Sequence, residues 1–153
     1  LIMKILIVED DKHKSSDIIE FITSQGVDKN SIYLTESIAD TVTYLASTTP
    51  DKIVLDMSLP SHTVGSSIPL PNGGIEVLLE LRYNGIIDLP VLILTQYPQI
   101  EINKQFYALN QSAEKIMSAF SMKNILVSDF DNEAIDQEDK EWVSYLQHFL
   151  SEK

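Results

Sequence analysis

Glu9, Asp10 and Asp11 follow directly on the aliphatic run Ile5 to Val8, and Asp56 follows the run Ile53 to Leu55. If these runs are neighbouring parallel strands, Glu9, Asp10 and Asp56 converge on one pocket at the carboxyl edge of a sheet, where open α/β sheets bind their ligands. Two carboxylates ~4 Å apart repel by ~4 kcal/mol at an effective dielectric near 20, so three together need a proton or a cation to coexist. A hard divalent ion meets that need. Mg2+ suits the set because it takes oxygen ligands, keeps several waters and is commonly held by one or two carboxylates plus a phosphate. Thr95 and Ser128-Asp129 end two further aliphatic runs and add hydroxyls and a carboxylate at the same edge.

Other chemistries find no support. The chain has no G-x-x-x-x-G-K-[ST] loop, no G-x-G-x-x-G after its first strand and no G-x-S-x-G elbow. His13, His62 and His148 fall in a first helical turn, a loop and a last helix without zinc-like spacing. With no cysteine, thiolate metal sites, disulfides and cysteine nucleophiles are excluded together, which fits a cytoplasmic protein.

The elements that would position these side chains are legible as five short aliphatic bursts, at Ile5 to Val8, Ile32 to Leu34, Ile53 to Leu55, Val91 to Leu94 and Ile125 to Val127. Most are continuously apolar, as a parallel strand covered on both faces requires. Between them run helical stripes: Ile18, Ile19 and Ile22; Ile38, Val42 and Leu45; Ile75, Leu78 and Leu79; a long one of Phe106, Leu109, Ala113, Ile116, Met117 and Phe120; and a last one of Trp142, Leu146, Phe149 and Leu150. Five strand-then-helix units in succession predict a doubly wound, five-stranded parallel α/β sheet. Two stretches break the pattern: the Pro- and Ser-rich loop Pro60 to Asn72, and the acidic segment Asp129 to Glu141.

The 153 residues carry 44% hydrophobic and 22% charged side chains, enough for one folded domain over residues 3–153 with a sizeable core. The formal net charge of −12 repels polyphosphate backbones and anionic headgroups, so direct nucleic-acid or membrane binding is not expected.

The segments Lys4 to Asp11 (KILIVEDD), Ile53 to Pro60 (IVLDMSLP), Gly73 to Leu78 (GGIEVL) and Leu89 to Thr95 (LPVLILT) together resemble the receiver domain of two-component response regulators. The resemblance implies a flavodoxin-like sheet of strand order 2-1-3-4-5. It also implies that Asp56 accepts a phosphoryl group from a histidine kinase, a phosphotransfer protein or a small phosphodonor. Asp10, Asp56 and the Ser58 carbonyl would hold Mg2+, Glu9 would act on it through a water, and Thr95 would donate to a phosphoryl oxygen. Output would pass by contact to a downstream protein, or through a homodimer, over the fourth helix, fifth strand and fifth helix, where Tyr107, Trp142 and Tyr145 could lie exposed.

The resemblance has gaps. Receivers end the fifth strand with Lys-Pro, whose ammonium pairs with the acyl phosphate; here Ser128 and Asp129 stand there, and the nearest lysine in sequence, Lys123, lies ~16 Å away at the other end of the strand. Ile125 replaces the usual aromatic switch residue, and the stretch from Thr95 to Ser128 is longer than the family's. The loop Pro60 to Asn72 reads as a surface insertion or as a lid over Asp56. The rival reading is therefore a pseudo-receiver, an interaction module working without phosphorylation. A small phosphohydrolase comes third, because Ser58 stands where such an enzyme has its second acid.

Overall fold

The structure, a computed structural model, describes residues 3–63, 68–131 and 140–152. The first strand, β1 (Ile5–Val8), is followed by α1 (Lys12–Ser24), β2 (Ile32–Thr35), α2 (Ile38–Ser47), β3 (Lys52–Leu55), α3 (Gly73–Tyr83) and β4 (Val91–Thr95). Next come two strands that the hydrophobic pattern does not predict, β5 (Gln99–Ile102) and β6 (Gln105–Ala108), then α4 (Leu109–Phe120), β7 (Ile125–Asp129) and α5 (Glu141–Ser151).

The main sheet has the order β2-β1-β3-β4-β7, all parallel, so the predicted doubly wound topology holds, with β7 as its fifth strand. Its central strands β1, β3 and β4 are buried at every position, which explains why they read as unbroken apolar runs. Side chains alternate across the sheet into two cores. Leu6, Val8, Ile53, Leu55, Val91 and Ile93 pack with α2, α3 and α4, while Ile5, Ile7, Val54, Leu92 and Leu94 pack with α1 and α5. Trp142 is fully buried on the second face against Phe130 and Phe21, so it is not an exposed anchor; Tyr107 and Tyr145 are half-buried.

The long helical stripe needs correction. Phe106 belongs to β6 and is 64% exposed; the helix begins only at Leu109. β5 and β6 form a separate antiparallel hairpin whose closing pair is Ile102 and Gln105, with Asn103 (φ 51°) and Lys104 (φ 68°) in the two-residue turn. Positive φ at both turn positions matches the twist of the flanking strands. This insertion accounts for the extra length between Thr95 and Ser128.

Candidate functional site

Three strand ends and one helix start meet at the carboxyl edge of the sheet. β1 runs straight into Glu9, whose amide donates to Thr35 O, and β3 runs into Asp56, whose amide donates to Val8 O. The chain therefore delivers both acids from neighbouring strands in register. Carboxylate oxygens of Glu9, Asp10 and Asp56 all lie within 4.8 Å of one another, and Glu9 and Asp56 are buried. A cleft of about 260 Å³ opens over them, lined also by Asp11, Ser58, Gln96 and Tyr97. The loop carrying Asp56 is held from beneath by α3: Gly74 N donates to Met57 O at 2.9 Å, and a Cβ on Gly74 would stand 2.5 Å from Asp56 O.

Lys14 completes the site and is not foreseen from the strand ends. It projects from the first turn of α1, is itself only 3% exposed, and places Nζ 2.9 Å from Glu9 Oε1, 3.1 Å from Asp56 Oδ1 and 2.7 Å from Leu94 O. Its ammonium also lies 5.1 Å from the centre of the Phe130 ring. Asp11 fixes this turn, its carboxylate accepting from His13 N (2.9 Å) and Lys14 N (3.1 Å) as an N-cap. A cation in a first helical turn opposes the helix dipole, so the acids across the cleft must hold it there. The expected absence of a cation at Asp56 is therefore corrected: none stands on β7, yet one arrives from α1. Lys123 is exposed, as its distant strand position predicts.

One ammonium does not balance three carboxyls. Burial pushes the Glu9 carboxyl up to about 8, with the Asp56 charge adding to the rise and Lys14 opposing it. Asp10 is raised as well, by burial and then by Asp56. An all-oxygen donor set with surplus negative charge fits a hard divalent ion such as Mg2+.

Asp56 is held in place by several donors. Oδ1 accepts from Met57 N at 2.8 Å and from Lys14 Nζ at 3.1 Å, and the Asp56 carboxylate is also hydrogen-bonded to the Glu9 side chain. Ser58 borders the same cleft. Thr95 ends β4 fully buried and does not line the cleft; its Oγ1 accepts from Tyr97 N at 3.1 Å, and its proton is given to no partner among the described residues. Ser128, paired with Leu94 in the ladder, is buried and donates its hydroxyl to Asp129 O at 3.0 Å. Of the loop Pro60 to Asn72, Leu59 and Leu70 form an antiparallel bridge at its base, while residues 64–67, and with them the lid reading, fall outside the described residues. Residues 132–139 of the acidic segment also fall outside them.

No family model matches the chain. It is, however, 42% identical over 150 residues to the Detocs response regulatory protein DtcB of Vibrio alginolyticus, an alignment spanning 95% of this chain and 98% of that one. The chain belongs to the response regulator receiver family. The fold agrees: the receiver domain of the Francisella response regulator 1452 superposes with a TM-score of 0.60 at 18% identity, covering 96% of this chain and 95% of that one. The BeF3-activated receiver domain of Klebsiella pneumoniae RstA gives 0.58 at 15% identity, covering 97% and 99%. Within this receiver the acidic cleft occupies the carboxyl edge of β1 and β3. A larger depression of about 500 Å³, lined by Pro71, Tyr97 and Phe106 among others, holds Glu101 as its one charged side chain. No helix among the described residues is long and apolar enough to cross a membrane.

Proposed function

We propose that this receiver accepts a phosphoryl group on Asp56 in a Mg2+-dependent reaction, from a histidine kinase, a phosphotransfer protein or a small phosphodonor, and passes the signal on by protein contact. The observation that carries the reading is the placement of Asp56. Its Oδ1 is pinned by Met57 N and Lys14 Nζ, and the residue lines a cleft together with Glu9 and Asp10. In-line phosphoryl transfer asks a protein for positioning and charge neutralisation more than for covalent help. Asp10 and Asp56, with the Ser58 carbonyl, would hold Mg2+, and Glu9 would reach it through water. When bound, the ion would supply the positive charge that lets a polyanionic donor approach. The buried hydroxyl of Thr95 retains a proton it can give to a phosphoryl oxygen once the Tyr97 segment shifts.

A second reading has one observation in its favour. Lys14 already offsets part of the acidic charge without a metal, which is how a contact-only module would keep its acids buried. Intact mass decides between them. Incubation with Mg2+ and acetyl phosphate is expected to add one phosphoryl group to the parent protein and none to Asp56→Asn, and chelation of Mg2+ is expected to abolish the gain. No gain in the parent across several small donors and a cognate kinase leaves the contact-only reading standing.

A further inference from the structure

We propose that Lys14 is a catalytic residue of this receiver, the cation that travels with the negative charge as Asp56 is phosphorylated; this rests on the reading of Asp56 as the phosphoryl acceptor. The geometry points to it because Nζ touches a reacting carboxylate directly, at 3.1 Å from Asp56 Oδ1, while remaining tied to the β4 edge through Leu94 O at 2.7 Å. The position is built rather than incidental. The Asp11 cap sets the first turn of α1, the Phe130 ring backs the ammonium, and the whole side chain is buried at the floor of the cleft. Ser128, at the neighbouring strand end, contributes no charge and donates its hydroxyl to the Asp129 carbonyl.

The charge balance of the step shows what the lysine does. With an acyl phosphate donor, the Asp56 Oδ2–P bond forms as the bond from phosphorus to the donor's acyl oxygen breaks, and the carboxylate of the donor leaves. One anionic carboxylate and one phosphoryl dianion become an acyl phosphate dianion and one free carboxylate, so no proton moves and no electrons are lost. Asp56 Oδ1, however, changes from half of a carboxylate into the carbonyl oxygen of an uncharged acyl group. Its hold on Nζ weakens at the moment that charge accumulates on the phosphoryl oxygens attached to Oδ2. A flexible ammonium with three donors can keep Leu94 O and swing a second N–H from Oδ1 to a phosphoryl oxygen, following the charge outward. Charge-assisted hydrogen bonds of this kind are the strong ones, and strongest in a water-poor cleft.

The test measures phosphoryl acceptance and Mg2+ binding side by side in the full chain. Acceptance is the initial rate of mass gain with acetyl phosphate; Mg2+ affinity is measured by calorimetry with the metal alone. Lys14→Met is expected to slow acceptance by about 10- to 100-fold, the scale of one lost charge-assisted contact in the transition state. It should bind Mg2+ at least as tightly as the parent, since a competing positive charge is gone. Lys14→Arg, which keeps a cation of similar reach, is expected to recover most of the loss. Unchanged acceptance in Lys14→Met overturns the proposal and leaves Asp56 as acceptor. Loss of Mg2+ binding together with acceptance also overturns it, reducing Lys14 to a scaffold for the acids. A parent protein that accepts no phosphoryl group removes the Asp56 reading and this proposal with it.

Discussion

At the scale of single residues, Glu9 is the group that most directly records the strain of the acidic site. Burial lifts its carboxyl from an ordinary 4.5 to about 8, so in metal-free protein the fold keeps a proton that the unfolded chain gives up. A folded state that binds more protons than the unfolded one loses stability as pH rises through that window. The contribution is fully present below pH 4.5 and gone above about 8. Urea unfolding of the metal-free protein at several pH values across that window is expected to show a falling free energy, on the order of a few kcal/mol in all. Glu9→Gln, which cannot ionise, should flatten the slope. An equally steep slope in the variant would show that Glu9 is not its source. The acids of this site were legible in sequence because each directly follows a short aliphatic strand. Lys14 was not, because it stands in the first turn of a helix rather than at a strand end, and nothing in the string KHK marks which of its cations turns inward. The N-cap at Asp11, three residues before it, was the available signal.

At the scale of elements, the site depends on how closely α3 can approach the loop after β3. Gly73 and Gly74 open that helix, and neither has room for a side chain: a Cβ at Gly73 would meet Leu59 O at 2.7 Å, and one at Gly74 would meet Met57 Cε and Asp56 O. The sequence motif GGIEVL thus has a mechanical reading, with the paired glycines letting a helix start lie against the peptide that carries Asp56, the proposed acceptor. Gly74→Ala must push Asp56 O away or tilt α3. We expect it to cost ~1–3 kcal/mol, the usual range for overpacking, and so to lower Tm by roughly 2–10 °C in a chain of this size. Because the displaced atom belongs to Asp56, phosphoryl acceptance should fall more than stability alone predicts. A variant that melts lower yet accepts phosphoryl at the parental rate would uncouple α3 from the site. The hairpin shows the opposite case, an element that periodicity misassigned. The alternating segment Gln99-Ile100-Glu101-Ile102 is only four residues long, its turn is Asn-Lys rather than the more recognisable Asn-Gly, and Phe106 falls three residues before Leu109, so it joined the helical stripe by spacing alone.

At the scale of the whole molecule, the sheet divides the interior into two cores, and the acidic cleft is where elements from both meet. Lys14 comes from α1, on the face shared with α5, while the Asp56 loop is braced by α3 from the opposite face. The inserted hairpin joins the α3 side. Ile100 and Ile102 are 3% and 2% exposed and pack into the same core as Ile93, Ile116 and Val127, while Gln99 and Glu101 face outward. An appended loop would leave its apolar side chains at the surface, whereas this one contributes to the main core. Truncating such a residue removes its burial and leaves a cavity, a loss of ~2–5 kcal/mol for Ile→Ala. Ile100→Ala is therefore expected to lower Tm by about 5–20 °C with one cooperative transition, because hairpin and sheet share a single core. Phe106→Ala, at a position 64% exposed on the same hairpin, should change Tm little. Two separate transitions in Ile100→Ala, or a loss below ~1 kcal/mol, would instead make the hairpin an independent appendage. The length between Thr95 and Ser128 would then reflect a tolerated insertion rather than a built part of this receiver's core.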